Sequence, residues 1–265
     1  MAAETDAVAR LGALERRHGG RLGVAILDTG NGRRITHRGD ERFLMCSTFK
    51  LLLVAAVLAR VDQNAERLDR RIVFGEDVLL SHAPITSRHV GMPGMTVAEL
   101  CHAAITVSDN TAANLLLASI GGPAAVTAFA RDTGDSVTRL DRNEPELNVG
   151  SAGDVRDTTT PDAMLETVRK VLLGGRLSDA SCARLTGWLQ ACLTGSGEIR
   201  AGVPAGWAVG DKTGRGGQGE TNDIAILWPP RRSPILVMAY YAGSSADDAG
   251  RSAVIAQVGR LAASI

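Results

Sequence analysis

Ser47-Thr48-Phe49-Lys50 stands directly before an apolar run, Leu51 to Leu58, which predicts a buried helix. Residues three apart on a helix share one face, so the Ser47 hydroxyl and the Lys50 amine are expected to lie side by side. A helix N-terminus also favours developing negative charge, through its dipole and its free N–H groups. A hydroxyl beside an amine that accepts its proton is typical of an activated nucleophile. Because S-x-x-K also occurs in helices by chance, this interpretation depends on further motifs.

The composition limits the class of protein. A chain of 265 residues with 45% hydrophobic residues is long enough for one large domain or two modest ones around a substantial core. Lys+Arg and Asp+Glu are both 29, so the formal net charge is zero. Arginine pairs are scattered and form no basic stripe, which argues against a nucleic-acid partner. No apolar run approaches the roughly 18 residues of a membrane span, which argues against a membrane partner.

Cysteine and histidine spacing gives no sign of a metal or redox site. None of the four cysteines forms a C-x-x-C pair, and the five histidines show no metal-ligand spacing. We therefore expect no metal, and we expect the cysteines to be small buried side chains. The N-terminal segment has no signal-peptide core. The chain is therefore either cytosolic or a mature form from which an export signal has been removed.

Both ends of the chain combine helix and strand patterns, whereas the middle is mostly helical in pattern. Apolar spacing predicts a helix over 4–18, and a last helix is expected over 249–263. Turn residues predict a hairpin at 28–32, and runs rich in Val, Ile, Tyr and Trp predict strands over 207–212, 223–228 and 235–241. The stretch 47–193 is mostly helical in pattern. The ends therefore predict one α/β unit into which a helical unit is inserted, and a cleft between them is the natural place for a site.

Two short motifs add polar groups to this cleft. Ser108-Asp109-Asn110 follows a helix opened by the capping box Thr96–Glu99, and a loop between helices can aim a hydroxyl and an amide into a cleft. Taken alone, it is also an ordinary helix cap. Lys212-Thr213-Gly214 ends a predicted strand, where glycine lets a ligand approach the backbone closely. Taken alone, that motif carries little information.

Together, and in this order, the three motifs resemble those of the penicillin-recognising serine enzymes. The stretch Glu144-Pro145-Glu146-Leu147-Asn148 resembles the loop over the site in class A β-lactamases, which penicillin-binding peptidases generally lack. The resemblance covers nearly the whole chain. The stretches 156–161 and 210–214 are similar to the cefotaxime-hydrolysing and actinobacterial members.

The resemblance implies a two-lobed fold of mixed α/β and all-α character. An antiparallel five-stranded sheet flanked by the terminal helices would form one lobe, from residues 1–42 and 199–265. A helical lobe, residues 43–198, would be inserted, with the active site between the two lobes. A cis peptide bond is expected at Glu144–Pro145.

The resemblance also implies roles for single residues. Ser47 would be the nucleophile that attacks a β-lactam carbonyl, and Ser108 would relay a proton to the lactam nitrogen. Glu144 would activate the water that hydrolyses the acyl-enzyme. Whether Lys50 or Glu144 takes the proton of Ser47 during acylation stays open.

Further residues are expected to bind substrate or to support the site. The substrate-binding set is Asn110, Asn148, Lys212, Thr213, Gly214, Arg215, Arg251 and His82. Arg142 and Asp157 match the ion pair that joins the two ends of the loop in the family; otherwise they would be two solvated charges. Arg251 would reinforce a carboxylate pocket and His82 would lie beside the cleft mouth, although each is also compatible with a plain surface position.

The chain departs from the family pattern at two places. Arg215 follows K-T-G where relatives usually have Ser, Thr or Ala, and this cation would either attract substrate or crowd cephalosporin side chains. Cys46 lacks the partner found in carbapenem-hydrolysing relatives, because that position is Gly216. We therefore expect no disulfide, which leaves carbapenem activity in doubt. No cofactor is expected, and the protein is expected to be a monomer, secreted or periplasmic, acting on small-molecule β-lactams.

Three other functions compete. A D,D-peptidase would deacylate slowly, and a covalent β-lactam sensor would keep a stable adduct; both usually carry a membrane segment. Glu144 and Asn148 argue against the peptidase. A generic Ser-His-Asp hydrolase is disfavoured because no G-x-S-x-G surrounds any serine.

Overall fold

The computed structural model describes residues 2–151 and 153–265. Its helices are α1 (Ala2–His18), α2 (Phe49–Asp62), α3 (Val97–Thr106), α4 (Asn110–Ile120), α5 (Pro123–Asp132), α6 (Pro161–Leu173), α7 (Asp179–Gln190), α8 (Ile199–Gly202) and α9 (Asp248–Ala262). Its strands are β1 (Arg21–Asp28), β2 (Arg34–His37), β3 (Phe43–Leu44), β4 (Arg71–Ile72), β5 (Met95–Thr96), β6 (Thr158–Thr159), β7 (Ala208–Arg215), β8 (Thr221–Trp228) and β9 (Ile235–Ala242).

The two ends of the chain share one sheet. Its five strands lie in the order β2-β1-β9-β8-β7, and every pair is antiparallel. β1 pairs with β9 along its whole length, from Arg21 opposite Ala242 to Asp28 opposite Ile235. This pairing of the first strand with the last confirms the fold class expected from the sequence.

Alternation along the strands divides the core between the two faces of the sheet. In β9, Met238 and Tyr240 pack with the helical part of the chain, whereas Val237 and Tyr241 pack with α1 and α9. Successive side chains of a strand point to opposite faces, so a strand that is apolar throughout is covered on both sides. The sheet is therefore buried between the terminal helices and the helical part. The lobe boundaries stay a prediction.

Helix α2 lies at the centre of the helical part. Every residue from Phe49 to Ala59 is buried. A helix that is apolar all round belongs in the middle of a core. The α-helix begins only at Phe49, because Cys46–Thr48 forms a 3-10 turn. Ser47 therefore lies in the turn that leads into the helix, not in its first regular turn.

Capping residues fix the ends of the helices around the site. Thr96 and Glu99 form the expected capping box of α3, and Thr160 caps α6 ahead of Pro161. Asp109 caps α4 by accepting from the Ala112 N–H. The Ser108-Asp109-Asn110 motif is thus both a helix cap and a site element. The Lys212-Thr213-Gly214 motif, expected at the end of a strand, lies within β7, which ends one residue later at Arg215.

Across the described ranges, no single helix is both long and apolar enough to cross a bilayer. α4 and α5 meet that criterion only as a pair, and they are bent by 71° relative to each other.

Candidate active site

Ser47 and Lys50 converge on one carboxylate oxygen. Ser47 Oγ donates to Glu144 Oε1 at 3.2 Å, and Lys50 Nζ lies 3.1 Å from the same atom. Both charged side chains of this contact are fully buried. The S-x-x-K spacing thus brings hydroxyl and amine together as predicted, but they meet at Glu144.

Lys50 is surrounded by acceptors. Its Nζ donates to Ser108 O at 2.8 Å, Ser108 Oγ at 3.2 Å and Asn110 Oδ1 at 2.6 Å, besides the contact with Glu144. Burial lowers the pKa of Lys50 to about 8, and Glu144 opposes this shift. A lysine with that pKa is mostly protonated at pH 7. An ammonium group has donors only, which suits this set of partners.

Ser108 bridges the two buried lysines. Its Oγ accepts from Lys50 Nζ and, at 3.1 Å, from Lys212 Nζ. Its backbone has φ 58°, in the left-handed region that non-glycine residues seldom adopt. Such strain is found at functional sites, where the surrounding structure holds a side chain in place. The hydroxyl is therefore held between two cations.

The loop that carries Glu144 is fixed at both ends and at its centre. Arg142 Nε donates to Asp157 Oδ2 at 2.6 Å, and Asp157 also accepts from the backbone of Asp141 and Arg142. The expected ion pair is therefore present. The peptide bond Glu144–Pro145 is cis, as expected.

Asn114 holds the backbone of Glu144 from α4. Its side-chain amide accepts from Glu144 N at 3.0 Å and donates to Glu144 O at 2.9 Å. Asn148, on the same loop as Glu144, donates from Nδ2 to Glu144 Oε2 at 2.5 Å. These contacts leave the carboxylate little freedom to turn away from Ser47.

Ser47 opens into a cavity of about 330 Å³. The residues lining it come from α2's leading turn, the α3–α4 loop, the Glu144 loop, β7 and neighbouring loops: Ser47, His82, Ser108, Asn110, Asn148, Thr194, Thr213 and Arg215. His82 is exposed and its Nε2 contacts Val107 O at 3.0 Å. His82 thus lies at the wall of the cavity, and its role in binding substrate stays a prediction.

Lys212 and Gly214 lie behind the cavity wall. Lys212 is fully buried, burial lowers its pKa, and its Nζ donates to Thr213 O at 2.8 Å. A Cβ at Gly214 would stand 2.8 Å from Met45 O. Glycine here thus lets β7 pack against the backbone just before Ser47.

Arg251 is not brought to the cavity. Its Nη1 donates to Ala246 O, its Nη2 to Asp248 Oδ1, and its Nε to Thr221 Oγ1 at 3.3 Å. The exposed cation that does line the cavity is Arg215. From the sequence, Arg251 was expected to reinforce a carboxylate pocket. In the structure, its contacts hold the guanidinium away from the cavity lining.

Within the described ranges, no three or more His, Cys, Asp or Glu side chains lie close enough together to hold a metal ion. All four cysteines carry free thiols.

A family model described as the β-lactamase enzyme family matches residues 6–265. The chain belongs to this family. The β-lactamase is 46% identical over 260 residues to β-lactamase OXY-2 of Klebsiella oxytoca, covering 98% of this chain and 89% of the relative. It is 51% identical over 251 residues to β-lactamase L2 of Stenotrophomonas maltophilia, covering 94% of this chain and 82% of the relative.

Solved structures agree with this assignment. A class A β-lactamase of the last common ancestor of Gram-negative bacteria matches with a TM-score of 0.95 and 62% identity, over 97% of this chain and 98% of that one. A putative class A β-lactamase, PenP of Rhodopseudomonas palustris, matches with a TM-score of 0.96 and 55% identity, over 98% of this chain and 99% of that one. The chain is a class A β-lactamase, a hydrolase that acts on β-lactam antibiotics and confers resistance to them.

Several residues of this β-lactamase site were missed from the sequence. Asn114 holds Glu144, and Thr194 lines the cavity and contacts Thr213 Oγ1 at 2.5 Å. Glu198 and Ser252 hold Arg215. Asn114 lies four residues after Asn110 on α4, so helix spacing was the one available signal; the others lie on separate segments.

Proposed function

We propose that this β-lactamase opens the lactam ring through an acyl-enzyme on Ser47. The observation that carries the proposal is the meeting of Ser47 Oγ and Lys50 Nζ at Glu144 Oε1. Ser47 Oγ would attack the lactam carbonyl, while the N–H groups of Ser47 and Arg215 stabilise the oxyanion. One such donor is worth about 3–4 kcal/mol of transition-state stabilisation.

Glu144 is proposed as the base of acylation, accepting the Ser47 proton directly or through a water molecule. Two features support this choice over Lys50. Ser47 already donates to the carboxylate, and Lys50 is engaged as a donor to acceptors on several sides. Lys50 would act as an ammonium that stabilises negative charge on the reacting oxygen.

Deacylation is proposed to use Glu144 and Asn148 together. Asn148 Oδ1 is buried and finds no donor within the described part of the chain, whereas its Nδ2 is bound to Glu144. An acceptor buried in this way calls for a donor such as water. A water donating to both Asn148 Oδ1 and Glu144 would be placed to attack the acyl carbonyl.

Ser108 is proposed to carry a proton to the departing lactam nitrogen. Its hydroxyl accepts from both Lys50 and Lys212, so its proton points away from them and can be donated. Lys212 would raise the local positive potential, and Thr213 would hydrogen-bond the substrate carboxylate. Asn110 would hold the amide of the substrate side chain, and His82 would border the entrance.

The substrates are proposed to be penicillins and cephalosporins, hydrolysed by a monomer, because the residues named above come from one chain. A secreted or periplasmic location is proposed because β-lactams meet their targets outside the cytosol. Carbapenem hydrolysis is not part of the proposal, since Cys46 is a free thiol.

The test is to mix purified protein with benzylpenicillin and, separately, a chromogenic cephalosporin, and to follow turnover and intact mass. Many turnovers per molecule are expected, and Ser47→Ala should abolish both turnover and adduct. A wild-type adduct that persists without turnover would instead indicate a peptidase or a covalent sensor.

A further inference from the structure

We propose that Arg215, held by Glu198 and Ser252, is the cation that recognises the substrate carboxylate in this enzyme, and that Glu198 and Ser252 act as its positioning residues. The proposal rests on the proposed function, since it concerns how the same cavity selects its substrate. It assigns Arg215 an attractive role, where the sequence left open whether it attracts or crowds.

The contacts of Arg215 anchor one end of its guanidinium. Nη2 donates to Glu198 Oε1 and, at 2.9 Å, to Ser252 Oγ. Ser252 Oγ itself donates to Glu198 Oε1 at 3.0 Å, so the three side chains form a closed triangle. An arginine held in this way stays at the cavity wall and does not extend freely across the opening.

Burial makes the anchor strong. The Glu198 side chain is 3% exposed, whereas that of Arg215 is 43% exposed. A buried carboxylate needs a cation beside it, because an unpaired charge in the interior is costly. Glu198 therefore keeps the partly exposed Arg215 in place at the wall of the cavity that it lines.

The guanidinium keeps donors for a second anion. An arginine side chain carries five N–H donors. Within the described part of the chain, Arg215 donates hydrogen bonds from Nη2 alone. Nε and Nη1 are therefore left to donate, and a carboxylate oxygen can accept a charge-assisted hydrogen bond from either of them. Lys212 is fully buried, which leaves Arg215 as the exposed positive charge beside Thr213.

Arg251, the other arginine near this site, is not available to bind the substrate carboxylate. Arg251 precedes Ser252 on α9, yet its guanidinium is bound to Ala246, Asp248 and Thr221 and is outside the cavity lining. Two adjacent residues of α9 therefore have different structural roles. Arg251 holds the start of α9, and Ser252 holds Arg215.

The experiment compares benzylpenicillin with its methyl ester, which keeps the lactam but lacks the carboxylate charge. In Arg215→Gln, we expect kcat/KM for the acid to fall roughly 10- to 100-fold, mostly through KM, because a charge-assisted contact is lost. The value for the ester should change by less than about twofold. Glu198→Gln should give a smaller loss that is again confined to the acid.

The double variant Glu198→Gln/Arg215→Gln keeps the test valid if Arg215→Gln alone destabilises the protein, since it leaves no unpaired buried charge. It should reproduce the acid-specific loss, and thermal unfolding should show it to be folded. Equal losses for acid and ester in both Arg215 variants would overturn the proposal, and so would an acid-specific loss in Arg251→Gln. Wild-type protein that opens neither lactam would instead refute the proposed function itself.

Discussion

Glu144 is a buried carboxylate whose hydrogen-bond and ion-pair partners prepare it for the two proton transfers proposed above, one in acylation and one in deacylation. It is 2% exposed, its Oε1 meets Ser47 and Lys50, and its Oε2 accepts from Asn148. A charge so deeply buried is tolerated only when hydrogen bonds and an opposite charge compensate it. The same contacts aim one oxygen at the nucleophile and the other at the residue proposed to hold water.

The charge of Lys50 can be tested by pH. Because its pKa is about 8, raising the pH through that value removes the ammonium, while lowering the pH keeps it. If Lys50 acts as a cation, the acylation rate constant, measured by rapid mixing at pH 6–10, should decline as the pH rises through about 8. Circular dichroism over the same range controls for unfolding. A rate that rises through that value would make Lys50 the base instead.

The loop between Arg142 and Asp157 positions Glu144 as a unit. Asp157 is fully buried and the Arg142 side chain is 21% exposed, so their ion pair is shielded from solvent. Arg142 Nη2 also donates to Val149 O at 2.7 Å, which ties the far side of the loop to the same guanidinium. One side chain thus holds the ends and the middle of the loop.

Arg142→Ala should therefore loosen the loop and slow deacylation more than acylation. Removing one partner of a buried pair costs about 3 kcal/mol or more of stability. Single-turnover mixing gives the acylation rate, and decay of the adduct mass gives the deacylation rate.

Arg139→Ala is the matched control on the same segment. Arg139 pairs with Asp141, and both side chains are partly exposed, at 39% and 22%. Loss of such a pair costs about 1 kcal/mol or less. The account of the loop is contradicted if Arg142→Ala slows both steps equally, or if Arg139→Ala has as large an effect.

Over the whole molecule, local signals in the sequence indicated the separate helices and strands, and the resemblance to a known family implied how they fold together and where the site lies. Runs rich in Val, Ile, Tyr and Trp indicated the strands after residue 202, and capping residues such as Thr96 and Asp109 marked the helices beside the site. The motifs around Ser47 and Lys212 are weak signals when taken singly and become informative only together, through their resemblance to a known family. The lobe boundaries and the roles of these residues remain predictions.

What the sequence could not supply was long-range pairing. Glu198 and Arg215 lie on different segments, and only folding brings Ser252 of α9 to them. The contacts of Arg251 are a different case, because Asp248 lies only three residues before it on α9 and Ala246 only five. Their spacing was a local signal that the sequence analysis did not use. A side chain's partner 30 or more residues away leaves no periodic signal, as Asn114 and Glu144 also show.

The stability of the whole chain should not depend on reduction. Cys46, Cys101 and Cys192 are buried, and all four cysteines are free. A reducing agent should therefore leave the thermal unfolding midpoint unchanged. An alkylating reagent should add four groups after denaturation and fewer under native conditions, as counted by mass spectrometry. A midpoint that falls on reduction would show that a disulfide stabilises the protein.

The decisive measurement is time-resolved intact mass of Glu144→Gln mixed with benzylpenicillin, with Glu146→Gln as control. Glu146 lies on the same loop but is exposed, so its variant should turn over like wild type. With Gln at 144, the amide cannot take a proton from water, so deacylation should slow by roughly 100-fold to 10,000-fold. Acylation should slow as well, because Glu144 is also its proposed base, but Lys50 lies beside Ser47 and can take the proton in its place. Deacylation has no such substitute, so the mass of protein plus one penicillin should accumulate. Rapid disappearance of that adduct in Glu144→Gln, at the wild-type rate, would contradict the account.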